Sequence, residues 1–242
     1  IMLTRINFLT AGESHGKGLL GIIDGIPSGL EISKEYIDVQ LKRRQMGHGR
    51  GGRMKIENDA VEIWSGVRDG KTIASPIGLI VKNKDWENWK NKMSVEKMGK
   101  TPRKVTLPRP GHADLAGVEK YGFDDIRNVL ERSSARETTM RVALASVCRK
   151  LLGDIGIHVA SRVVQIHDIV DSSSISSNFK IQKLNQLADK SPVRCLNGNI
   201  EKEMIQVIDH AKSQGDSVGG VFEVIATGMP HGLGSYTQWN KK

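Results

Sequence analysis

Short apolar stretches, several of them rich in β-branched residues, predict strands along the chain. The first two stretches flank a turn that contains Gly12-Glu13-Ser14-His15-Gly16. Strands are predicted over residues 3–10, 19–23, 60–67, 77–81, 157–163 and 220–228. The serine-rich stretch at 172–177 predicts a loop.

Apolar residues at helical spacing, together with capping residues, predict four helices. Ser33 is suited to cap a helix that runs to about Arg44. Ser134 and Glu137 have the S-x-x-E spacing of a capping box at the start of the longest helix. The helices are predicted over residues 33–44, 114–121, 134–152 and 201–214, with Gly153 and Gly215 ending the last two.

Helices and strands follow one another without the regular βαβ period of a parallel sheet. We therefore expect an α+β fold with antiparallel sheets. The 242 residues suit one large domain or two small ones.

The charge, the apolar runs and the cysteine count of the chain exclude several classes of protein. Lys and Arg total 36 against 27 Asp and Glu, a formal net charge of +9, and the pI is about 9.6. No apolar run approaches the roughly 18–20 residues that cross a bilayer, and the N-terminus lacks a signal-peptide pattern. The two cysteines, Cys148 and Cys195, cannot form a disulfide framework or a four-ligand zinc site by themselves. We expect a cytoplasmic protein with no membrane partner.

Basic residues concentrate in three places, two of which contain no acidic residue. Residues 42–55 surround the run Gly47-His48-Gly49-Arg50-Gly51-Gly52, and a second cluster spans 97–112. The third cluster is Arg132, Arg136 and Arg141. A solvated basic face is the plainer interpretation of any one cluster. Arginine forks, a helix N-terminus and a glycine-rich loop together favour an anionic ligand.

Two of the seven histidines, His15 and His112, lie in turn-like sequence rather than on a periodic apolar face. Imidazole, with an ordinary pKa of about 6.5, suits proton transfer near neutral pH. A loop histidine is more often not catalytic, so the residues alone make these two only candidates. The spacing of the other histidines does not predict a metal site.

Four motifs follow one another along the chain. They are Gly12-Glu13-Ser14-His15-Gly16 with Ile22-Ile23-Asp24-Gly25-Ile26-Pro27, Arg43-Arg44-Gln45 with Gly49-Arg50-Gly51-Gly52-Arg53-Met54, Arg109-Pro110-Gly111-His112-Ala113-Asp114, and Glu131-Arg132-Ser133-Ser134-Ala135-Arg136-Glu137-Thr138. In this order they resemble the signatures of the chorismate synthase family. The resemblance implies one domain over residues 1–242, a helical layer packed between antiparallel β-sheets, and a homotetramer in the full-length enzyme.

The resemblance also implies a reaction. Chorismate synthases are lyases that convert 5-enolpyruvylshikimate 3-phosphate to chorismate by 1,4-anti elimination of phosphate, the last step of the shikimate pathway. They require reduced FMN, which is thought to donate electron density transiently while phosphate leaves, although there is no net redox change. Members that reduce their own flavin use NADPH. Nothing here resembles a flavin-reductase domain, so we expect this chain to borrow reduced FMN.

Site roles follow from the same motifs. By resemblance, His15 protonates the departing phosphate and His112 lies near N1 of the flavin. Residues expected around the substrate phosphate and carboxylates are Arg44, Arg50, Arg53, Arg109, Ser134 and Arg136. Residues expected to contact FMN are Arg132, Ser133 and Ser134, and those assigned to NADP in some members are Arg44 and Arg50.

Two alternatives stay open. Family members continue beyond the position that matches Lys242, with motifs that supply further flavin contacts and a catalytic aspartate. We therefore expect a chain that is truncated at its C-terminus, and an inactive fragment of the enzyme is the first alternative. The second is a basic nucleic-acid-binding protein, suggested by the Arg-Gly-Gly-Arg stretch at 50–53. Aromatic residues make up only 5% of the chain and do not interleave the basic loops, which argues against base stacking.

Overall fold

A computed structural model describes residues 5–51, 56–99, 102–176 and 179–238. The chain divides into two compact units. The first comprises residues 1–44 and 53–148, and the second comprises residues 45–52 and 149–242.

The strands of the first unit form a four-stranded sheet and a separate two-stranded ribbon. They are β1 (Asn7–Ala11), β2 (Gly18–Asp24), β3 (Val61–Ile63), β4 (Val67–Arg68), β5 (Lys71–Thr72) and β6 (Ile77–Lys82). The sheet order is β1-β2-β6-β3 with every neighbouring pair antiparallel, and β4 pairs with β5. In β2, Leu19, Gly21 and Ile23 are buried and alternate with exposed residues, so one face of the sheet is turned to the core.

The first helix of this unit lies between β2 and β3 in the chain, and the others follow β6. The helices are α1 (Lys34–Gln45), α2 (Trp86–Trp89), α3 (Asp114–Tyr121), α4 (Arg127–Arg132), a 3-10 turn (Ala135–Glu137) and α5 (Thr138–Asp154), which continues into the second unit. The long helix α5 covers the buried face of β2. A Cβ on Gly21 would lie 2.6 Å from Cγ of Met140 and 2.9 Å from Cδ1 of Leu144, so glycine permits the close approach of sheet and helix.

The second unit is a smaller sheet with two helices. Its elements are β7 (His158–Ile166), β8 (Ile169–Val170), α6 (Gln182–Ala188), α7 (Gly198–Ser213) and β9 (Gly220–Thr227). The sheet order is β8-β7-β9, again antiparallel. Leu184 of α6 is buried in one cluster with Ala160 of β7, and Met204 of α7 is buried in another with Val193 and Cys195.

The expected α+β class with antiparallel sheets is confirmed. All four predicted helices exist, and the strands predicted at 19–23, 77–81, 157–163 and 220–228 agree with the structure to within a few residues. Within the described ranges, no helix combines the length and apolar composition needed to cross a membrane.

Three boundaries differ from the prediction for identifiable reasons. The strand predicted at 60–67 is interrupted before β4 by Gly66, whose φ of 79° is a turn conformation. The long helix does not begin with the predicted capping box. Ser134 Oγ accepts the N–H of Arg136 at the 3-10 turn, while the carboxylate of Glu137 bonds Thr10 and Arg141. The helix also passes Gly153, and the left-handed residue after it is Gly156.

The helix α7 offers a simple test of local structure. Asn197 is its N-cap, and its side chain accepts the N–H groups of Asn199 at 2.9 Å and Ile200 at 3.5 Å. Asn197→Ala is expected to lower the free energy of unfolding by about 1 kcal/mol, because both donors lose that acceptor. Asn199→Ala, two residues later in the chain, is the control and should change the free energy of unfolding by less than about 0.5 kcal/mol. Equal values from urea unfolding would contradict the assigned cap.

Candidate functional site

The loop between β1 and β2 carries His15 and is held by α4. The N–H of Ser14 donates to the carbonyl oxygen of Glu131 at 3.0 Å. The N–H of His15 donates to Glu131 Oε2 at 2.9 Å. One residue of α4 thus fixes two successive residues of the loop.

The imidazole of His15 lies between two carboxylates and stacks on an indole ring. Its Nδ1 lies 2.8 Å from Glu131 Oε2, and its Nε2 lies 3.9 Å from Asp85 Oδ2. The ring stacks on the indole of Trp89, with centroids 4.0 Å apart. Trp89 is itself anchored, because its Nε1–H donates to Asp85 Oδ2 at 3.0 Å. His15 is therefore held along one ring edge and across one ring face.

A second set of bonds holds the same loop from β6. The side-chain amide of Asn83, which directly follows β6, donates to the carbonyl oxygens of Glu13 at 3.1 Å and Gly16 at 2.8 Å. The Oδ1 of Asn83 accepts a bond from Arg136 Nε at 3.0 Å. The loop, β6 and the 3-10 turn are thereby joined through one amide.

Arg136 lies at the centre of a buried ionic cluster and is only 6% exposed. Its Nη1 donates to Asp59 Oδ1 at 2.5 Å, and its Nη2 lies 3.5 Å from Glu57 Oε2. Arg44 approaches the same carboxylate, with Nη1 3.4 Å from Asp59 Oδ2, and donates from Nη2 to the carbonyl of Ala135 at 3.0 Å. Two of the predicted substrate-binding arginines therefore share one buried aspartate.

Arg132 and Ser133 border a cavity of about 370 Å³. Its remaining lining residues are Tyr121, Phe123, Asn128 and Val129. Arg132 also reaches the first strand, where Nη2 donates to the carbonyl and hydroxyl oxygens of Thr10, both at 2.9 Å. The predicted flavin contacts thus lie beside a cavity with two aromatic walls.

The turn that carries His112 is built around an ion pair. Arg109 donates to Asp114 from Nε, Nη2 and the backbone N–H, each at 2.9 Å. His112 is exposed, and its N–H donates to the carbonyl of Arg109 at 3.4 Å. The hydrogen bonds from Arg109 are the main reason that the pKa of Asp114 falls from 3.8 to about 2. The pKa of Arg109 is raised, first by Asp114 and to a smaller extent by the charge of Glu131, so this turn is within electrostatic range of the His15 site.

The Asp114 carboxylate makes the turn sensitive to acid. Because its pKa is lower in the folded protein, the ion pair stabilises the fold above about pH 4 and loses this effect as pH falls towards about 2. Asp114→Asn is expected to flatten the pH dependence of unfolding across that window. Thermal melts of both proteins between about pH 2 and pH 6 measure this. Parallel curves would contradict the assignment.

The other predicted site residues are Arg50, Arg53 and Ser134. Arg50 belongs to the second unit, where its Nε donates to the carbonyl of Met46 at 2.6 Å. Arg53 lies outside the described residues. Ser134 is half-buried at the start of the 3-10 turn. In the described ranges no group of three or more His, Cys, Asp or Glu side chains is arranged to hold a metal ion.

Sequence reasoning missed the residues that orient the candidates. Glu131 opens the fourth motif but was assigned no role, and Asn83 follows a strand without a distinctive pattern. Trp89 carried a signal that could have been used, because Trp86 and Trp89 stand three residues apart in a chain poor in aromatic residues. Pairing of these residues with His15 depends on contacts that span up to 116 positions.

Three comparisons with known proteins match this chain to the same family. The family model described as chorismate synthase matches residues 6–242. Curated relatives named chorismate synthase from Listeria welshimeri and Enterococcus faecalis are 50% and 53% identical over 240 residues, which is 98% of this chain and 61% of each relative. A solved structure, "Crystal Structure of Chorismate Synthase", matches with a TM-score of 0.79 and 41% identity, covering 99% of this chain and 63% of that chain. The chain therefore spans about 61% of the length of these curated relatives.

Proposed function

This chain belongs to the chorismate synthase family, and on that premise we propose that its residues form the phosphate-eliminating site of a chorismate synthase. The proposed substrate is 5-enolpyruvylshikimate 3-phosphate, and the products are chorismate and inorganic phosphate. The reaction breaks one C–O bond and one C–H bond and forms one carbon–carbon double bond. Family membership favours this enzyme over a nucleic-acid-binding protein.

The observation that carries the proposal is that residues of the first and second motifs contact residues 131–138 of the fourth motif. Glu131 bonds His15 of the first motif, and Ala135 accepts a bond from Arg44 of the second. Motifs that are up to 116 positions apart in sequence thus converge on one short segment.

His15 is the proposed proton donor to the departing phosphate. A proton delivered from Nε2 neutralises charge that develops on the phosphate oxygen as the C–O bond breaks. Asp85 lies 3.9 Å from this nitrogen and Glu131 lies 2.8 Å from the other, so two carboxylates stabilise a positive charge on the ring. Stacking on Trp89 fixes the plane from which the proton leaves.

The proposed anion-binding residues are Arg44, Arg50, Arg53, Arg109, Ser134 and Arg136. A substrate with a phosphate and two carboxylates needs several cations, and arginine forks bind such groups in a bidentate manner. In the structure the guanidinium of Arg136 is engaged with Asp59, Glu57 and Asn83. We therefore propose that Arg136 also places Asn83, and through it the loop that carries His15.

We propose that the cavity beside Arg132 and Ser133 holds the flavin. Its walls include Tyr121 and Phe123, whose rings lie 5.8 Å apart, and it offers one guanidinium and an exposed hydroxyl for polar groups. Aromatic walls with a few polar groups are typical of cofactor sites. Reduced FMN, when bound, supplies the electron density that assists departure of phosphate. His112 is proposed to lie near it, and Arg44 and Arg50 are proposed contacts for NADPH as a flavin reductant.

A cytoplasmic location and a homotetrameric assembly complete the proposal. Both are supported by family membership alone.

Growth of a bacterial strain that lacks its own chorismate synthase tests the function. The strain receives this chain alone, or this chain in place of the matched part of the Enterococcus faecalis relative. We expect the chimera to restore growth without added aromatic compounds, and its His15→Ala variant to fail. The unaltered relative is the positive control.

A chimera that accumulates as folded protein and does not support growth would contradict the proposal. Growth with the His15→Ala variant would remove His15 from the mechanism. Growth with this chain alone would show that these 242 residues suffice.

A further inference from the structure

The nearest partner of the His15 ring is an almost completely buried carboxylate. Glu131 is 1% exposed, and its Oε2 faces both the backbone N–H of His15 at 2.9 Å and the ring Nδ1 at 2.8 Å. The other oxygen, Oε1, has no hydrogen-bond partner among the described residues. Both hydrogen bonds described for this carboxylate therefore come from His15.

We propose that Glu131 is a positioning residue that holds His15 in the tautomer with its hydrogen on Nδ1. A carboxylate oxygen only accepts hydrogen bonds, so a ring nitrogen 2.8 Å away has to be the donor. The backbone N–H at Oε2, and Arg127 Nη1 at 3.8 Å from Oε1, are both complementary to a negative charge on Glu131. Neutral His15 then has its lone pair on Nε2.

Other groups around the ring limit its motion. Trp89 covers one face at 4.0 Å with an angle of 28° between the planes, which restricts rotation of the ring. Asp85 faces Nε2 at 3.9 Å and is anchored to the indole of Trp89 and to the side chain of Asn88. Arg127 lies 5.5 Å from the centre of the Trp89 ring, on the side of Glu131. The charged groups that face this site include Glu131, Asp85 and Arg127.

The catalytic meaning of this role rests on the proposed function. When His15 gives a proton to phosphate, the Nε2–H bond breaks and an O–H bond forms on the leaving group. The neutral ring that remains is the Nδ1–H tautomer, which is the form that Glu131 binds. Glu131 therefore stabilises the ring both before the transfer, as a cation, and after it.

Nuclear magnetic resonance on the full 242-residue chain tests the tautomer directly. Histidine nitrogens are labelled with 15N, and the ring is observed at about pH 8, where an unperturbed imidazole is neutral. The His15 signals are assigned by their loss in His15→Asn. We expect the Nδ1–H form to predominate, because a hydrogen bond to a charged acceptor shifts such a ratio by about tenfold or more.

Three variants identify the cause. Glu131→Ala removes the acceptor, and Glu131→Met removes it while keeping most of the buried volume. Both should shift the ring towards the Nε2–H form that an unconstrained histidine side chain prefers. Glu137→Gln is the matched control. It removes another carboxylate of the same segment, one that accepts a hydrogen bond from Thr10 and not from His15. This variant should leave the His15 spectrum unchanged.

A wild-type ring in the Nε2–H form overturns the proposal without any variant. A ratio that folded Glu131→Ala and Glu131→Met proteins leave unchanged also overturns it. The spectrum does not require turnover, so failure of the growth test would contradict the proposed function and leave the positioning role intact.

Discussion

Replacing Arg136 with alanine lowers the free energy of unfolding by about 3–5 kcal/mol, the largest effect expected from any substitution considered. The guanidinium is buried and faces Asp59 and Glu57, which are themselves buried. Without it, two carboxylates remain in a medium of low polarity with one fewer cation. Asn83 also loses a donor at Oδ1, which loosens the loop that carries His15.

Urea unfolding followed by tryptophan fluorescence measures this effect. Of the four tryptophans, Trp64, Trp86 and Trp89 lie in the first unit and report on it. Arg141→Ala is the control, because its side chain is 58% exposed and forms an i,i+4 pair with Glu137. It should cost less than about 0.5 kcal/mol. A loss of less than about 1 kcal/mol for Arg136→Ala would contradict the central role of this guanidinium in the ionic cluster.

Gly12→Ala is expected to lower the free energy of unfolding by about 2–5 kcal/mol and to displace His15. Gly12 has a φ of 101°, where a side chain introduces strain of about 1–3 kcal/mol. An added Cβ would also lie 2.4 Å from the carbonyl oxygen of Gly18 and 2.9 Å from Cα of Leu19. Both are backbone atoms at the start of β2, so the loop has to move, at a further cost of about 1–2 kcal/mol.

Gly70→Ala separates the backbone strain from the steric clash of the added Cβ. Gly70 has a φ of 70°, but a Cβ there would meet nothing within 4 Å. It should show only the conformational strain, about 1–2 kcal/mol. Thermal unfolding compares the stabilities, and the 15N signals of the His15 ring report whether the loop has moved. Equal losses in the two variants, with an unchanged His15 spectrum, would contradict the steric argument.

The elements that sequence patterns predict well are those fixed by local chemistry. α3 was predicted over 114–121 and forms over Asp114–Tyr121, and β9 and β6 agree within a residue of the predicted ends. Periodic apolar residues and glycines with positive φ decide these boundaries within one segment. The capping box was wrong because Glu137 finds stronger partners in Thr10 and Arg141 than in the backbone of Ser134.

The candidate site could be predicted only in part. His15 and the arginines were identified from motifs, and their roles stay predictions. What the sequence could not reveal is which acid faces which base. Glu131, Asp59 and Asp85 look like ordinary acidic residues until the fold brings them to His15, Arg136 and Trp89. Short helices such as α2 and α4 have too few residues for a periodic signal, and they carry several of these contacts.

Anaerobic phosphate release tests the central claim most directly. The chimera of this chain with the unmatched part of the Enterococcus faecalis relative is supplied with 5-enolpyruvylshikimate 3-phosphate, with and without reduced FMN. We expect release only with reduced FMN, and a fall of about 10²–10⁴-fold in His15→Ala. His210→Ala, at an exposed position in α7, should leave the rate unchanged. A folded chimera that releases no phosphate while the relative does, or a rate that survives His15→Ala, would contradict the claim that these residues carry out the elimination.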